Sequence, residues 1–229
     1  MRYQRTGVVL AALLLATACM ADERLALAGG EAGNGAYYTY AGVVLPGPGR
    51  ESGRGLLQRY WIDAFGYDYT GEPGLVKASA YGAEAALGYG TSFTGGWAST
   101  YLGLRYTNTD LSPDDPSAEA RGSQVGVKLD IQGDYEILPG WRGNAIASYT
   151  TTQHAYWSRV RLMRALTGRQ ALGGEVVAGG NDESQATSFG LVFSFQPGSA
   201  PWSASLKAGY RHEDDDDGAY GGIELGYGF

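Results

Sequence analysis

The sequence predicts an all-β chain, an antiparallel transmembrane β-barrel of about 12 strands. Three observations carry this expectation. Apolar residues alternate with polar ones in stretches of about 10 residues, bounded by turn residues, as when one face of a strand meets lipid and the other a lumen. The chain ends on one such stretch, with Ile223, Leu225, Tyr227 and Phe229 on a common face and an aromatic residue last. Beyond the N-terminal segment, no apolar run reaches the roughly 18 residues of a membrane helix. Composition agrees: 37 glycines and 17 tyrosines in 229 residues suit closely approaching extended backbones. Helices do not suit them, since each interior glycine costs about 1 kcal/mol there. A net charge of −7 with no basic stripe excludes a nucleic-acid partner.

Residues 1–21 read as a signal peptide and residues 22–229 as the barrel. Arg2 and Arg5 precede the apolar run at 7–15 (GVVLAALLL), which is shorter than the roughly 20 residues that span a bilayer. Ala16-Thr17-Ala18 and Cys19-Met20-Ala21 both offer small residues for cleavage. Cys19 is the sole cysteine, and Ala16 stands where a lipoprotein signal usually carries Leu. It is therefore read as leaving with the signal or as an incidental first residue, with lipidation the alternative. The barrel region then holds neither a disulfide framework nor a cysteine metal site.

Strands are predicted at 24–32, 36–45, 56–69, 76–89, 95–107, 123–136, 141–152, 155–165, 171–180, 185–195, 202–212 and 219–229. The clearest is the sixth, where Val125, Val127, Leu129 and Ile131 oppose Gln124, Lys128, Asp130 and Gln132. The first has little alternation and rests on parity, because bacterial single-chain barrels have even strand numbers. With a periplasmic N-terminus, the outer loops are 33–35, 70–75, 108–122, 153–154, 181–184 and 213–218. They include the longest loop and the most acidic segments.

Assigning faces places Arg105, Lys128, Arg159, Arg161, Lys207 and Arg211 in the lumen with Glu84, Asp130, Asp134, Glu175 and Glu224. In a narrow barrel these charges are expected to pair across the interior and largely to occlude it, with no strong ion selectivity. A polar channel lining is the alternative. Trp61, Trp97, Trp141, Trp157 and Trp202 fit interfacial girdles. Any that point inward, such as Trp97 or Trp157, would offer a saccharide-stacking surface. The aspartate run 214–217 reads as a solvated loop tip, and no calcium-loop spacing accompanies it. His154 and His212 are the only imidazoles. Ser158, about 13 Å from His154 along a strand, is too far to be its nucleophile. No catalytic residue, metal site or cofactor is expected. Phe229 is read as a signal to the assembly machinery.

Four stretches resemble the BcsS family of cellulose-biosynthesis proteins: residues 37–47 (YYTYAGVVLPG), 109–128 (TDLSPDDPSAEARGSQVGVK), 148–162 (SYTTTQHAYWSRVRL) and 172–185 (LGGEVVAGGNDESQ). The resemblance spans most of the mature chain, and its most specific pieces are SPDDP at 112–116 and the tract 156–161. It implies an envelope protein encoded alongside bacterial cellulose synthase genes, and no catalytic residues. The expected function is a non-enzymatic outer-membrane barrel that assists cellulose biosynthesis, export or surface anchoring. The expected partners are outer-membrane lipid, the barrel assembly machinery, and cellulose or its synthase and export complex. The alternatives are a hydrolase or lipid-modifying enzyme using His154 or His212, and a narrow pore for small solutes.

Overall fold

The structure, a computed structural model, describes residues 24–33, 35–49, 53–198, 201–213 and 217–229. The signal-peptide reading and Cys19 lie outside the described residues, as do residues 214–216 of the aspartate run. Twelve antiparallel strands close into a barrel, each paired with its neighbours in sequence. They are β1 (Leu25–Gly33), β2 (Ala36–Pro46), β3 (Gly55–Gly71), β4 (Gly74–Phe93), β5 (Gly96–Ser112), β6 (Gly122–Leu138), β7 (Trp141–Thr150), β8 (Tyr156–Thr167), β9 (Gln170–Gly180), β10 (Gln185–Phe195), β11 (Trp202–Glu213) and β12 (Asp217–Gly228). The seam is β1 against β12, in register from Leu25↔Gly228 to Gly33↔Tyr220. Backbone bonds between Arg24 and Phe229 extend it by one more residue. The strand inferred from parity thus closes the barrel, and Arg24 and Phe229, the first and last described residues, lie together at one end.

The burial pattern is inverted relative to a soluble domain. Large apolar side chains face outward, with Leu87 69 % and Leu191 68 % exposed, while Arg161 at 0 % and Glu224 at 2 % are buried. Exposed apolar surface of this extent is stable only against lipid.

The largest difference from the expected strands is at β3–β6. β4 runs 20 residues against the 14 expected, and β5 continues past Thr107 through Asn108, Thr109 and Asp110 to Ser112. These polar residues read as loop, yet their backbones stay laddered above the apolar band. Tyr37 on β2 pairs with Gly66, and Thr150 on β7 with Lys128, so β3–β6 overshoot both flanks. The 113–121 loop folds against this raised wall, with Ala118 on Tyr69 and Val76. Its Asp115 is buried and accepts from Tyr69 Oη at 3.2 Å and Ser117 Oγ at 2.6 Å. The Ser117 hydroxyl holds the Asp115 carboxyl below its ordinary value. Halfway around the ring, Asn181 in the β9–β10 loop donates to Tyr67 Oη on β3 at 3.1 Å, bridging the mouth.

Candidate functional site

Strand alternation delivers every lumenal charge. On β8, Trp157, Arg159, Arg161 and Met163 face inward and Tyr156, Val160 and Leu162 outward. The same parity on β6, β9, β11 and β12 turns Lys128 and Asp130, Glu175, Lys207 and Arg211, and Glu224 to the interior. All the lumenal residues named from sequence therefore sit in the barrel interior, Arg105 on β5 included.

They form no single continuous lattice, but pairs do cross the interior: Arg159 and Arg161 on β8 reach Glu224 on β12, four strands away in a ring of twelve. Two neighbourhoods form, one along each wall. On β3–β6, Arg59 meets Glu84 at 2.6 Å and Asp130 at 2.9 Å, Lys128 meets Glu84 at 2.8 Å, and Arg105 meets Asp63 at 2.7 Å. On the opposite wall, Glu224 receives Arg161 at 2.8 Å, Arg159 at 3.2 Å and Lys207 at 3.3 Å. There Arg161 also binds Glu175, and Glu31 joins Lys207 to Arg211. Each charge finds a partner one to four strands away, and the longest of these pairings, β8 to β12, spans a third of the ring. Lys207 to Glu31 crosses the β12–β1 seam, a pairing that depends on closure. Asp134 lies nearer the terminal end and pairs with Arg142. Arg59, Asp63, Glu31 and Glu213 belong to the set and were missed. Arg59 and Asp63 share parity with Trp61 on β3, so alternation could have found them.

The tryptophans divide. Trp141 and Trp202 face outward near the terminal end, as a girdle requires, whereas Trp97 and Trp157 line the lumen. Trp61 is a correction: it is inside the barrel, stacked on Tyr40 with ring centroids 4.7 Å apart and planes 13° apart. From this pair a file of rings climbs β2 and β3. Tyr40–Tyr38 are 5.5 Å apart, Tyr38–Phe65 6.5 Å, Phe65–Tyr67 6.4 Å and Tyr67–Tyr69 6.1 Å. Two glycines let the lowest pair lie flat. A Cβ on Gly29 would come within 2.4 Å of the Tyr40 ring, and one on Gly42 within 2.1 Å of Trp61.

A cavity of about 440 Å3 follows this file. Its lining runs from Leu25, Leu27 and Trp97 near the terminal end to Gln153, Asn181 and Ser184 at the loop end. Near the terminal end, Val44, Leu57, Ala86 and Tyr101 form an apolar cluster joined by Leu25 and Leu27.

The residues considered for catalysis do not assemble. His154 lies in a short 3-10 turn at Thr152–His154, its Nδ1 3.0 Å from Asp182. The Ser158 hydroxyl donates to the Ala178 carbonyl at 3.2 Å. His212 Nδ1 contacts Asp217. Among the described residues, each imidazole thus faces a carboxylate, and neither is bonded to a hydroxyl. Glu119, His154 and Asp182 place ligand atoms within 4.8 Å of one another, all exposed on the outer loops.

Among family models, that of cellulose biosynthesis protein BcsS matches residues 25–229. Among solved structures, the COG4313 outer membrane channel from Pseudomonas putida F1 superposes with a TM-score of 0.57 at 9% identity, covering 93% of this chain and 97% of that one. The KdgM porin in complex with disordered oligogalacturonate gives a TM-score of 0.50 at 7% identity, covering 90% and 99%. At such identities the likeness is one of fold. No curated protein sequence matches.

Proposed function

Because the chain belongs to the cellulose biosynthesis protein BcsS family, we propose that it is a non-enzymatic outer-membrane barrel assisting cellulose export or surface anchoring. The observation that carries this reading is the inverted burial: an apolar belt around a lumen of paired charges suits a Gram-negative outer membrane. An N-terminal signal peptide would deliver the chain there. The termini then face the periplasm and the 113–121 and 181–184 loops face outside, where a glucan or its export complex is met. The non-enzymatic part of this reading draws on Ser158, the nucleophile considered beside His154, whose hydroxyl donates to the Ala178 carbonyl instead. The test is deletion of the gene, with cellulose measured in the medium, on the cell surface and as synthesis by isolated membranes. Membrane synthesis should hold while exported cellulose falls, for an export role, or shifts from the cell surface to the medium, for an anchoring role. Equal loss of synthesis and export, or cellulose unchanged in amount and location, would overturn the reading.

Phe229 is proposed as the assembly signal. Its ring lies outward, stacked 6.0 Å from Tyr227, so few lumenal contacts depend on it. Deleting it is expected to lower outer-membrane levels in cells severalfold and to leave refolding in detergent nearly intact. Equal impairment in both assays would instead make Phe229 a stabilising residue.

A further inference from the structure

We infer that the aromatic file on β2 and β3 is a binding groove for the end of a neutral β-linked glucan. The inference rests on the cellulose-assisting reading above and names what the lumen holds.

The rings are available. Tyr38, Tyr40, Trp61, Phe65 and Tyr67 all line the cavity and are half-buried, whereas Tyr69, at the top of the file, is buried beneath the 113–121 loop. Rings placed for packing alone would be sealed as Tyr69 is. Gly29 and Gly42 keep the wall beneath the lowest pair smooth, so that those rings stack flat. The result is a row of rings whose centroids lie 4.7 to 6.5 Å apart, intervals comparable to the size of a pyranose ring, climbing toward the loop end.

The polar complement fits a sugar. Asp63 lies between Trp61 and Phe65 on the inward face of β3, held by Arg105 through two hydrogen bonds of 2.7 and 2.9 Å. Asp63 itself is buried, so what this pair offers a sugar hydroxyl is the partly exposed edge of the Arg105 guanidinium, as a donor. β-Linked glucose presents flat C–H faces with hydroxyls at the rim, which is the complement of this wall. An acyl chain would displace water from these polar groups and offer them no hydrogen bond in return. The lumenal cations are matched by carboxylates on both walls, so no excess positive charge recruits an acidic polysaccharide. A volume of about 440 Å3 lies within the roughly 300–1,000 Å3 of ligand sites, enough for a chain end of a few sugars.

The test uses the refolded full barrel in detergent, titrated with cellohexaose, maltohexaose and oligogalacturonate. Binding is followed by tryptophan fluorescence and by calorimetry. Cellohexaose should bind and quench, with maltohexaose weaker and oligogalacturonate inert. Trp61→Leu, which keeps apolar bulk without the ring, should weaken cellohexaose by about tenfold or more. The lipid-facing Trp202→Leu should leave it unchanged. Both variants are checked for the heat-modifiable gel mobility of a folded barrel, and Phe65→Leu replaces Trp61→Leu if the latter does not fold. No binding at millimolar cellohexaose, equal affinity in folded Trp61→Leu, or equal affinity for oligogalacturonate would each overturn the groove. Lost secretion on gene deletion without cellohexaose binding would sink the groove and keep the envelope role. Binding with cellulose unchanged in amount and location would do the reverse.

Discussion

Replacing Glu224 by alanine is expected to lower the unfolding free energy of the barrel by about 3–5 kcal/mol, the cost of stranding buried charge. Glu224 is the hub of its wall, with Oε1 accepting from Arg161 Nη2 at 3.0 Å and Oε2 from Arg161 Nη1 at 2.8 Å. Arg159 and Lys207 also converge on it. Its removal leaves two guanidinium groups, two residues apart on one strand face, and an ammonium group. Only Glu175 and Glu31 remain to compensate them. Glu175 is already engaged by Arg161 and by Tyr220 Oη at 3.2 Å. Arg159 keeps a bond to Asn144 Oδ1 at 2.9 Å, which satisfies a donor without neutralising it. A second substitution, Arg159→Ala, removes one stranded cation, so the double variant should lose less than the sum of the singles. The measurement is denaturant unfolding of the refolded barrel in micelles. A Glu224→Ala protein within about 0.5 kcal/mol of wild type would show that lumenal water solvates these charges and that the network contributes little.

How much of this network can be read locally follows from which residues mark a face. On β6, four apolar residues at period two leave no doubt about Lys128 and Asp130. On β1, LALAGGEAG has small residues on both faces, so Glu31 acquires a side only when β1 pairs with β12. The aromatic file was harder. In a membrane barrel an aromatic residue suits the lipid boundary as well as the lumen, so Trp61 or Tyr40 alone carries no orientation. Trp61 is oriented by Arg59 and Asp63, which cannot face hydrocarbon and share its parity. Strand ends misled for a different reason. The polar residues of β5 beyond Arg105 leave the membrane, where alternation no longer pays, yet the backbone ladder continues to Lys77↔Ser112. Contacts made by closure, such as Lys207 to Glu31 and Asn181 to Tyr67, join residues more than 100 positions apart and have no local signature.

Planar-bilayer recording of the purified barrel is expected to show a conductance far below that of a general porin, with little preference for cation or anion. A barrel of 12 strands has modest interior width, because diameter grows with strand number. Here the walls carry long side chains held in place by ion pairs, and the cavity left between them is about 440 Å3. The apolar cluster of Val44, Leu57, Ala86 and Tyr101 narrows the terminal end, and the Asn181–Tyr67 bond crosses the loop end. Balanced charge on both walls removes the field that would select an ion. Shortening both partners of one pair, in Lys207→Ala with Glu31→Ala, keeps that balance and widens the passage, so conductance should rise without gaining selectivity. Arg211 keeps Glu213 at 3.5 Å in this double variant, so no stranded charge confounds it. A stable wild-type conductance as large as a general porin's would show that the side chains swing clear of the lumen. The barrel would then be wide enough for a glucan to pass through. A small conductance that the double variant enlarges would show a lumen closed by its own ion pairs, too narrow for a glucan to thread.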